Sequence, residues 1–368
     1  MKMFNGEIHK NKIHISIYVR NKYWNASGYY RITQYLSQMS NSQIVFRELV
    51  ADSVYYNYHF RGRYYDKVKY IFAIFIRSLF FLSVDNIRKP DVVIINREIC
   101  PKIIFPLHFS LECSLLKKTK VIWDFDDFIY EGQEISKKEW DILKRFSDKI
   151  VVLEEEHKKK LGDVNGEIYA LTTTDGSFQD IKGYEDIRRE SFDERLNVVW
   201  VATSSSLGSL EMILPDLERL AKQQKDRNRK VVLYCVCNKP LRYIPSSFKI
   251  INIKWTRDRA IEIIKGAHVG IMPLADSEFS RGKGGFKIIQ YMAAGLPVVA
   301  SPVGINQLIV DDGVGVLAEA NWDEAISLLC DSWSGWQTYS SNARKKWETQ
   351  YSYNSHFEFW KAIIDGDI

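Results

Sequence analysis

Between residues 281 and 290 the sequence reads RGKGGFKIIQ, in which Arg281, Lys283 and Lys287 are interleaved with Gly282, Gly284 and Gly285. The glycines let the backbone turn its N–H groups toward one point, and the helical pattern opening at Phe286 adds the positive end of a helix dipole. Charge and donors of that kind converge on an anion, and a phosphate or diphosphate suits them. Lys287 and Gln290 share one face of that helix while Ile288, Ile289 and Met292 turn to the core, so Gln290 is placed to reach a sugar hydroxyl. Neither GxxxxGK[ST] nor GxGxxG is present. A solvated basic loop is the plain alternative.

A second constellation is acidic. In VIWDFDDFIY, Asp124, Asp126 and Asp127 follow a strand-like run. They can be read as a metal-chelating D-x-D or as a capping turn. Upstream, VVII ends in Asn96, Arg97 and Glu98, where Arg97 and Glu98 can form an ion pair at a strand end. After NVVWVA come Thr203, Ser204, Ser205 and Ser206, and after IYAL come Thr172, Thr173, Thr174 and Asp175. His108 and His268 stand in apolar surroundings and read as core.

These groups need elements to hold them. Apolar β-branched runs at 13–19, 92–95, 120–123, 149–153, 197–202, 230–236, 269–274 and 297–301 alternate with longer helical patterns. That order predicts α/β architecture with parallel sheets and crossover helices. Ligands of open parallel sheets bind beyond the carboxyl ends of the strands, where the polar residues above fall, so two sheets imply a cleft between them. The charged stretch 178–196 reads as a linker, and the aromatic-rich tail from Trp322 as helices that pack across domains.

With 368 residues, 46% of them hydrophobic, the chain can bury two cores. Its net charge of +5, from 51 basic and 46 acidic residues, is too mild for a nucleic-acid binder and suits a phosphate-bearing small molecule or an anionic membrane face. Five cysteines, with Cys235 and Cys237 alternating in a strand, suggest neither a disulfide framework nor a zinc site. The opening residues show no apolar leader, and no uninterrupted apolar run is long enough to span a bilayer, so a cytosolic protein is expected. The nearest approach to a membrane segment, 70–84, carries Arg77 at its middle and follows RGRYYDKVK. It reads as an amphipathic or core helix, with contact at the inner membrane face as the alternative.

The run GGFKIIQYMAAGLPVVASPVG resembles the nucleotide-sugar-binding segment of GT-B glycosyltransferases of family 4, and NASGYYRITQYL, VVIINREICP, VIWDFDDFIY, WVATSSS and EIIKGAHVGIMPL resemble further segments of that family. The resemblance implies two Rossmann-like domains facing across a cleft: 1–177 on the acceptor side and 178–351 for the nucleotide sugar, with 352–368 returning to the first. It implies a retaining transferase that takes a sugar from a nucleoside-diphosphate donor to a glycan or lipid-linked acceptor, in the manner of bacterial surface-polysaccharide (capsule or lipopolysaccharide) enzymes, with no metal and no cofactor. Asp126, Lys283 and Lys287 are then the catalytic residues. Ser204, Ser205, Arg281, Gly284, Gly285, Phe286 and Gln290 hold the donor, and Arg97, Glu98 and Asp127 face the acceptor.

The sequence departs from the family after the first strand of the second domain, where WVATSSSLGSL carries no Arg or Lys, and at two places around the lysine loop. Gly282 and Gln290 stand where the two glutamates of its E-x7-E arrangement are expected. Two other readings therefore remain: a catalytically weak GT-B module that binds sugar nucleotide or glycan, and a nucleotide-sugar epimerase.

Overall fold

The computed structural model describes residues 12–40, 42–100, 105–129, 134–180 and 184–368. The opening residues read as leader-free, up to residue 11, and 181–183 of the expected linker lie outside them. Two six-stranded sheets form. The first comprises β1 (Ile13–Val19), β2 (Ser42–Glu48), β3 (Val92–Asn96), β4 (Lys120–Asp124), β5 (Lys149–Val152) and β6 (Glu167–Ala170), in the order β2-β1-β3-β4-β5-β6. The second comprises β7 (Arg195–Val201), β8 (Lys230–Cys237), β9 (Lys249–Lys254), β10 (Val269–Met272), β11 (Val298–Ala300) and β12 (Gly315–Leu317), in the order β12-β11-β10-β7-β8-β9. Every pairing is parallel. The strand order reverses between β1 and β3 in one sheet and between β7 and β10 in the other, which places a binding crevice at each of those points.

The expected apolar runs are the four inner strands of each sheet. β2, β9 and β12 were not among them, and all three are edges. Inner strands such as β3 are buried along their whole length, whereas β9 alternates exposed and half-buried positions. A strand covered on both faces must be apolar throughout, but an edge need not be.

The stretch 178–196 is more than a linker. It contains the helix Tyr184–Phe192, whose buried Arg188 donates to the carbonyls of Ala294 and Gly295 at 2.8 and 3.0 Å. Those carbonyls end the helix Phe286–Ala293, so Arg188 satisfies groups that would otherwise be orphaned. The tail forms three helices, Trp322–Leu329, Trp333–Gln350 and Tyr353–Asp365. Trp347 donates to Thr174 Oγ1 at 2.8 Å, while Trp360, Ile363 and Ile364 of the last helix pack with Ile15, Ile94, Ile122 and Val151 of the first sheet.

Behind β3, Cys100, Glu112 and Glu139 form a fully buried group. Glu139 Oε1 accepts from the backbone N–H of Ile99 at 2.6 Å and of Cys100 at 2.9 Å, and the Cys100 thiol donates to Glu112 at 3.6 Å. Burial pushes the Glu112 carboxyl from its ordinary 4.5 up to about 8. Between those values the folded chain holds a proton that the unfolded chain has released, so stability falls as pH rises through that window and levels off above it. Glu112→Gln should flatten this decline, as measured by thermal melts across a pH series. A variant with the wild-type slope would show that Glu112 is ionised in the fold.

Candidate active site between the two sheets

Register aligns Asn96 at the end of β3 with Asp124 at the end of β4. Asp124 is fully buried, and so nearly is Arg31, from the π-helical turn Gly28–Thr33 that follows β1. Arg31 Nε and Nη2 donate to Asp124 Oδ1 at 2.9 and 2.6 Å, and Asn96 Nδ2 donates to Oδ2 at 2.9 Å. Nη1 of Arg31 continues to the Leu171 carbonyl at 2.8 Å and to Thr173 Oγ1 at 3.1 Å, beyond β6. A buried carboxylate with its acceptors taken by a guanidinium and an amide is structural, and Asp124 is so engaged.

The residue just after β3, Arg97, adopts φ of 67°, the left-handed region that non-glycine residues seldom enter. Its N–H donates to Asp124 O at 2.7 Å and its carbonyl accepts from Trp123 Nε1 at 2.8 Å. Its guanidinium then meets Asp126, Nε to Oδ1 at 2.9 Å, together with Asp127 and Glu134. Burial alone would raise the Asp126 carboxyl, but Arg97, Arg31 and the Ser27 hydroxyl outweigh it and hold Asp126 below its ordinary value. Asp127 is pushed up to about 6 by burial, with Arg97 opposing and Asp126 adding. Two neighbouring carboxyls are thus biased toward opposite protonation states. Glu98 takes a different partner and accepts from Arg20 Nε at 2.7 Å.

Across the cleft, the loops after β7 and β10 meet at the second sheet's reversal point. Lys283 Nζ donates to Ser206 Oγ at 3.1 Å. Burial lowers the Lys283 ammonium, and Asp127 on the other side pulls it upward. Gly285, at φ of 61°, opens the helix Phe286–Ala293. Lys287 donates to Gln290 Oε1 at 3.1 Å, and Gln290 Nε2 donates to Asp175 Oδ2 at 2.7 Å. Burial brings Lys287 down to about 8, with Asp175 opposing. Gln290 is therefore tied to the segment after β6 and is 1% exposed.

The Ser204 backbone N–H donates to Asn238 Oδ1 at 2.7 Å, and the Ser205 and Thr203 hydroxyls bond at 2.8 Å. Arg281 turns outward to Asp276 at 2.7 Å, with both side chains more than half exposed.

The two sides close on a small cavity of about 70 Å³ lined by Ala26, Ser27, Tyr30, Asp126, Asp127, Leu153, Thr173, Gly284 and Phe286. Tyr30 and Phe286 meet across it with ring centroids 4.6 Å apart and planes inclined at 45°. The closure is tight because the loop is glycine-rich. A Cβ on Gly282 would lie 2.4 Å from the Phe128 ring, and one on Gly284 would lie 2.5 Å from Leu153. The place from which a glutamate would project at 282 is filled by Phe128.

Of the residues singled out in sequence, Asp126, Asp127, Gly284 and Phe286 line this cavity, and Arg97, Lys283, Lys287 and Gln290 stand directly behind or beside it. Arg281 and Glu98 are engaged elsewhere. Sequence reading placed Ser206 and Asp175 only among the polar strand ends, and did not single out Arg31, Tyr30 or Phe128 as site residues. Arg31 leaves one signal, a lone cation within an otherwise apolar and aromatic helical run.

Residues 196–331 match the family model described as Glycosyl transferases group 1, which spans nearly all of the second sheet. No curated protein matches the sequence. Among solved structures, the chain is similar to the sucrose-phosphate synthase of Thermosynechococcus elongatus at 12% identity and a TM-score of 0.62, covering 96% of this chain and 88% of that one. It is similar to Anabaena HepE, solved in complex with UDP and glucose, at 10% identity and 0.62, covering 96% and 99%. A putative UDP-N-acetylglucosamine 2-epimerase from Listeria monocytogenes follows at 10% and 0.58, covering 97% and 96%. The fold is GT-B. At these identities the GT-B likeness speaks for architecture, so any role for individual residues rests on their own geometry.

Two tests address this geometry. Lys283→Ala and Lys287→Ala should each weaken binding of a nucleoside diphosphate by about 1.5–3 kcal/mol, the worth of a charged hydrogen bond, measured by calorimetry. With burial bringing Lys287 down to about 8, wild-type affinity should fall by up to about tenfold per unit above that pH, and Lys287→Gln should abolish this dependence. Separately, Gly282→Ala should destabilise the chain by about 1–3 kcal/mol through overpacking against Phe128. Phe128→Ala should suppress that cost in a double-mutant cycle.

Proposed function

We propose that this GT-B chain is a metal-independent retaining glycosyltransferase, moving a sugar from a nucleoside diphosphate to a glycan or lipid-linked acceptor of the kind found in bacterial surface polysaccharide. The observation that carries the reading is the pairing across one small cavity of Asp126 and Asp127 with the Lys283–Lys287 loop. Departure of a diphosphate builds negative charge, and preorganised cations at a helix N-terminus oppose it with little reorganisation. The donor-binding half begins near residue 178, and UDP is the first nucleotide to try because HepE was solved with it.

In this mechanism Lys283 and Lys287 hold the leaving diphosphate while Asp126, kept ionised by Arg97, faces the sugar and the incoming hydroxyl. The acceptor proton passes to the departing phosphate oxygen. Apolar closure by Phe128, Leu153 and Tyr30 keeps water from the reacting carbon and so limits hydrolysis. Metal independence is proposed because Asp124 is held by Arg31 and both Asp126 and Asp127 are held by Arg97, so each carboxylate of this turn already faces a guanidinium.

A binding module of low activity is the second reading, favoured by Phe128 occupying the space beside Gly282. Incubating the purified protein with a panel of nucleoside-diphosphate sugars and acceptor glycans, in EDTA, separates the two. Transfer supports the enzyme, while tight nucleotide binding without transfer or hydrolysis supports the module. Product formed without any acceptor would indicate an epimerase.

Asp126→Asn should lower turnover by about a hundredfold or more while diphosphate affinity stays within about twofold of wild type, because its charge is felt mainly in the transition state. A parallel fall in both would move Asp126 to the diphosphate.

A further inference from the structure

The helix Tyr64–Arg88 is 25 residues long and therefore about 37 Å from end to end. By length and composition it could cross a membrane, yet only 22% of its most apolar window is buried. Its inner face is fastened to the protein by polar groups. Asp85, fully buried, accepts from Tyr18 Oη at 2.8 Å and from Arg47 Nε at 3.1 Å, and Arg77 Nε donates to the Glu48 carbonyl at 2.7 Å. Pulling the helix into a bilayer would leave Asp85, Arg47 and Tyr18 without these partners, so spanning is disfavoured.

The outer face is apolar. Tyr65, Val68, Phe72, Ile76, Phe80 and Ile87 follow one another at helical spacing, all exposed, with Phe72 at 62%, Phe80 at 60% and Ile87 at 80%. An outward stripe of that size marks an interaction surface. Charge decides its occupant. The turn entering the helix carries Arg61 and Arg63, and its first turns carry Lys67 and Lys69, all exposed, with Lys69 lying over the Tyr65 ring at 4.3 Å. An aromatic and aliphatic stripe bordered by cations matches an anionic bilayer surface, where apolar side chains enter the acyl boundary and cations meet the headgroups.

We propose that this helix lies flat on an anionic membrane and docks the protein there. The proposal is independent of the transfer reaction, since docking concerns a face of the first sheet's helical layer and involves none of the cleft residues.

Co-sedimentation with vesicles tests it. The protein should pellet with phosphatidylcholine vesicles containing phosphatidylglycerol, and much less with phosphatidylcholine alone. Phe72→Ser, Ile76→Ser and Phe80→Ser combined should reduce the partition coefficient by about tenfold or more. These positions are exposed, so the melting temperature should hold. Lys67→Glu with Lys69→Glu, which leaves the apolar stripe intact, should weaken binding by a similar factor and reduce its sensitivity to salt. Wild-type protein remaining in the supernatant with anionic vesicles would overturn the proposal. So would a charge-reversed variant that binds like wild type, or a soluble dimer that the triple variant dissociates while vesicles capture nothing.

Discussion

One buried ion pair organises the first sheet's side of the cleft. Arg31 and Asp124 are both removed from water, and neither could stay there charged without the other. Removing one partner of such a pair typically costs about 3–5 kcal/mol, because the remaining charge is stranded. The pair also draws four strand ends together. Arg31 arrives after β1, Asn96 ends β3, Asp124 ends β4, and Leu171 and Thr173 follow β6. With Arg31 committed to Asp124, the acidic residues beyond it depend on a different cation, and Arg97 enters a left-handed backbone conformation to reach them.

Opposite that floor, the second sheet presents cations at its reversal point and, at residue 282, a glycine in place of a carboxylate. The two departures from the family pattern at this loop have separate physical consequences. Gly282 lets the Phe128 ring approach the loop backbone, which is how the two halves come into contact there. Gln290, lacking charge, can be buried between Lys287 and Asp175, so the neighbouring lysine faces one carboxylate where two would otherwise compete for it. The result is a loop whose ammonium groups are held below their ordinary values by burial and are sensitive to any anion that enters.

How much of this was legible in advance follows from the range of each interaction. The inner strands could be read because β1, β3, β7 and β10 are covered on both faces over most of their length and so are mostly apolar. β2, β9 and β12 escaped because an edge carries mixed residues. The anion-directed loop could be read because Arg281, Lys283, Gly284, Gly285 and Lys287 are neighbours in the chain, and their backbone needs are local. The stretch 178–196 does join the two sheets, but its helix went unread, since a short charged helix buries only a few residues, Arg188 and Phe192 among them.

The sequence by itself determined the alternation of strands and helices, the positions of polar groups at strand ends, and the convergence of positive charge before Phe286. Local spacing and backbone freedom suffice for each of these. Only the tertiary structure decided which charges cancel: that Asp124 belongs to Arg31, that Arg97 serves Asp126 and Asp127, that Arg281 faces Asp276 at the surface, and that Phe128 sits beside Gly282. Those partners are mostly separated by tens of residues or more, and electrostatic and steric choices across such distances depend on where parallel crossovers return the chain.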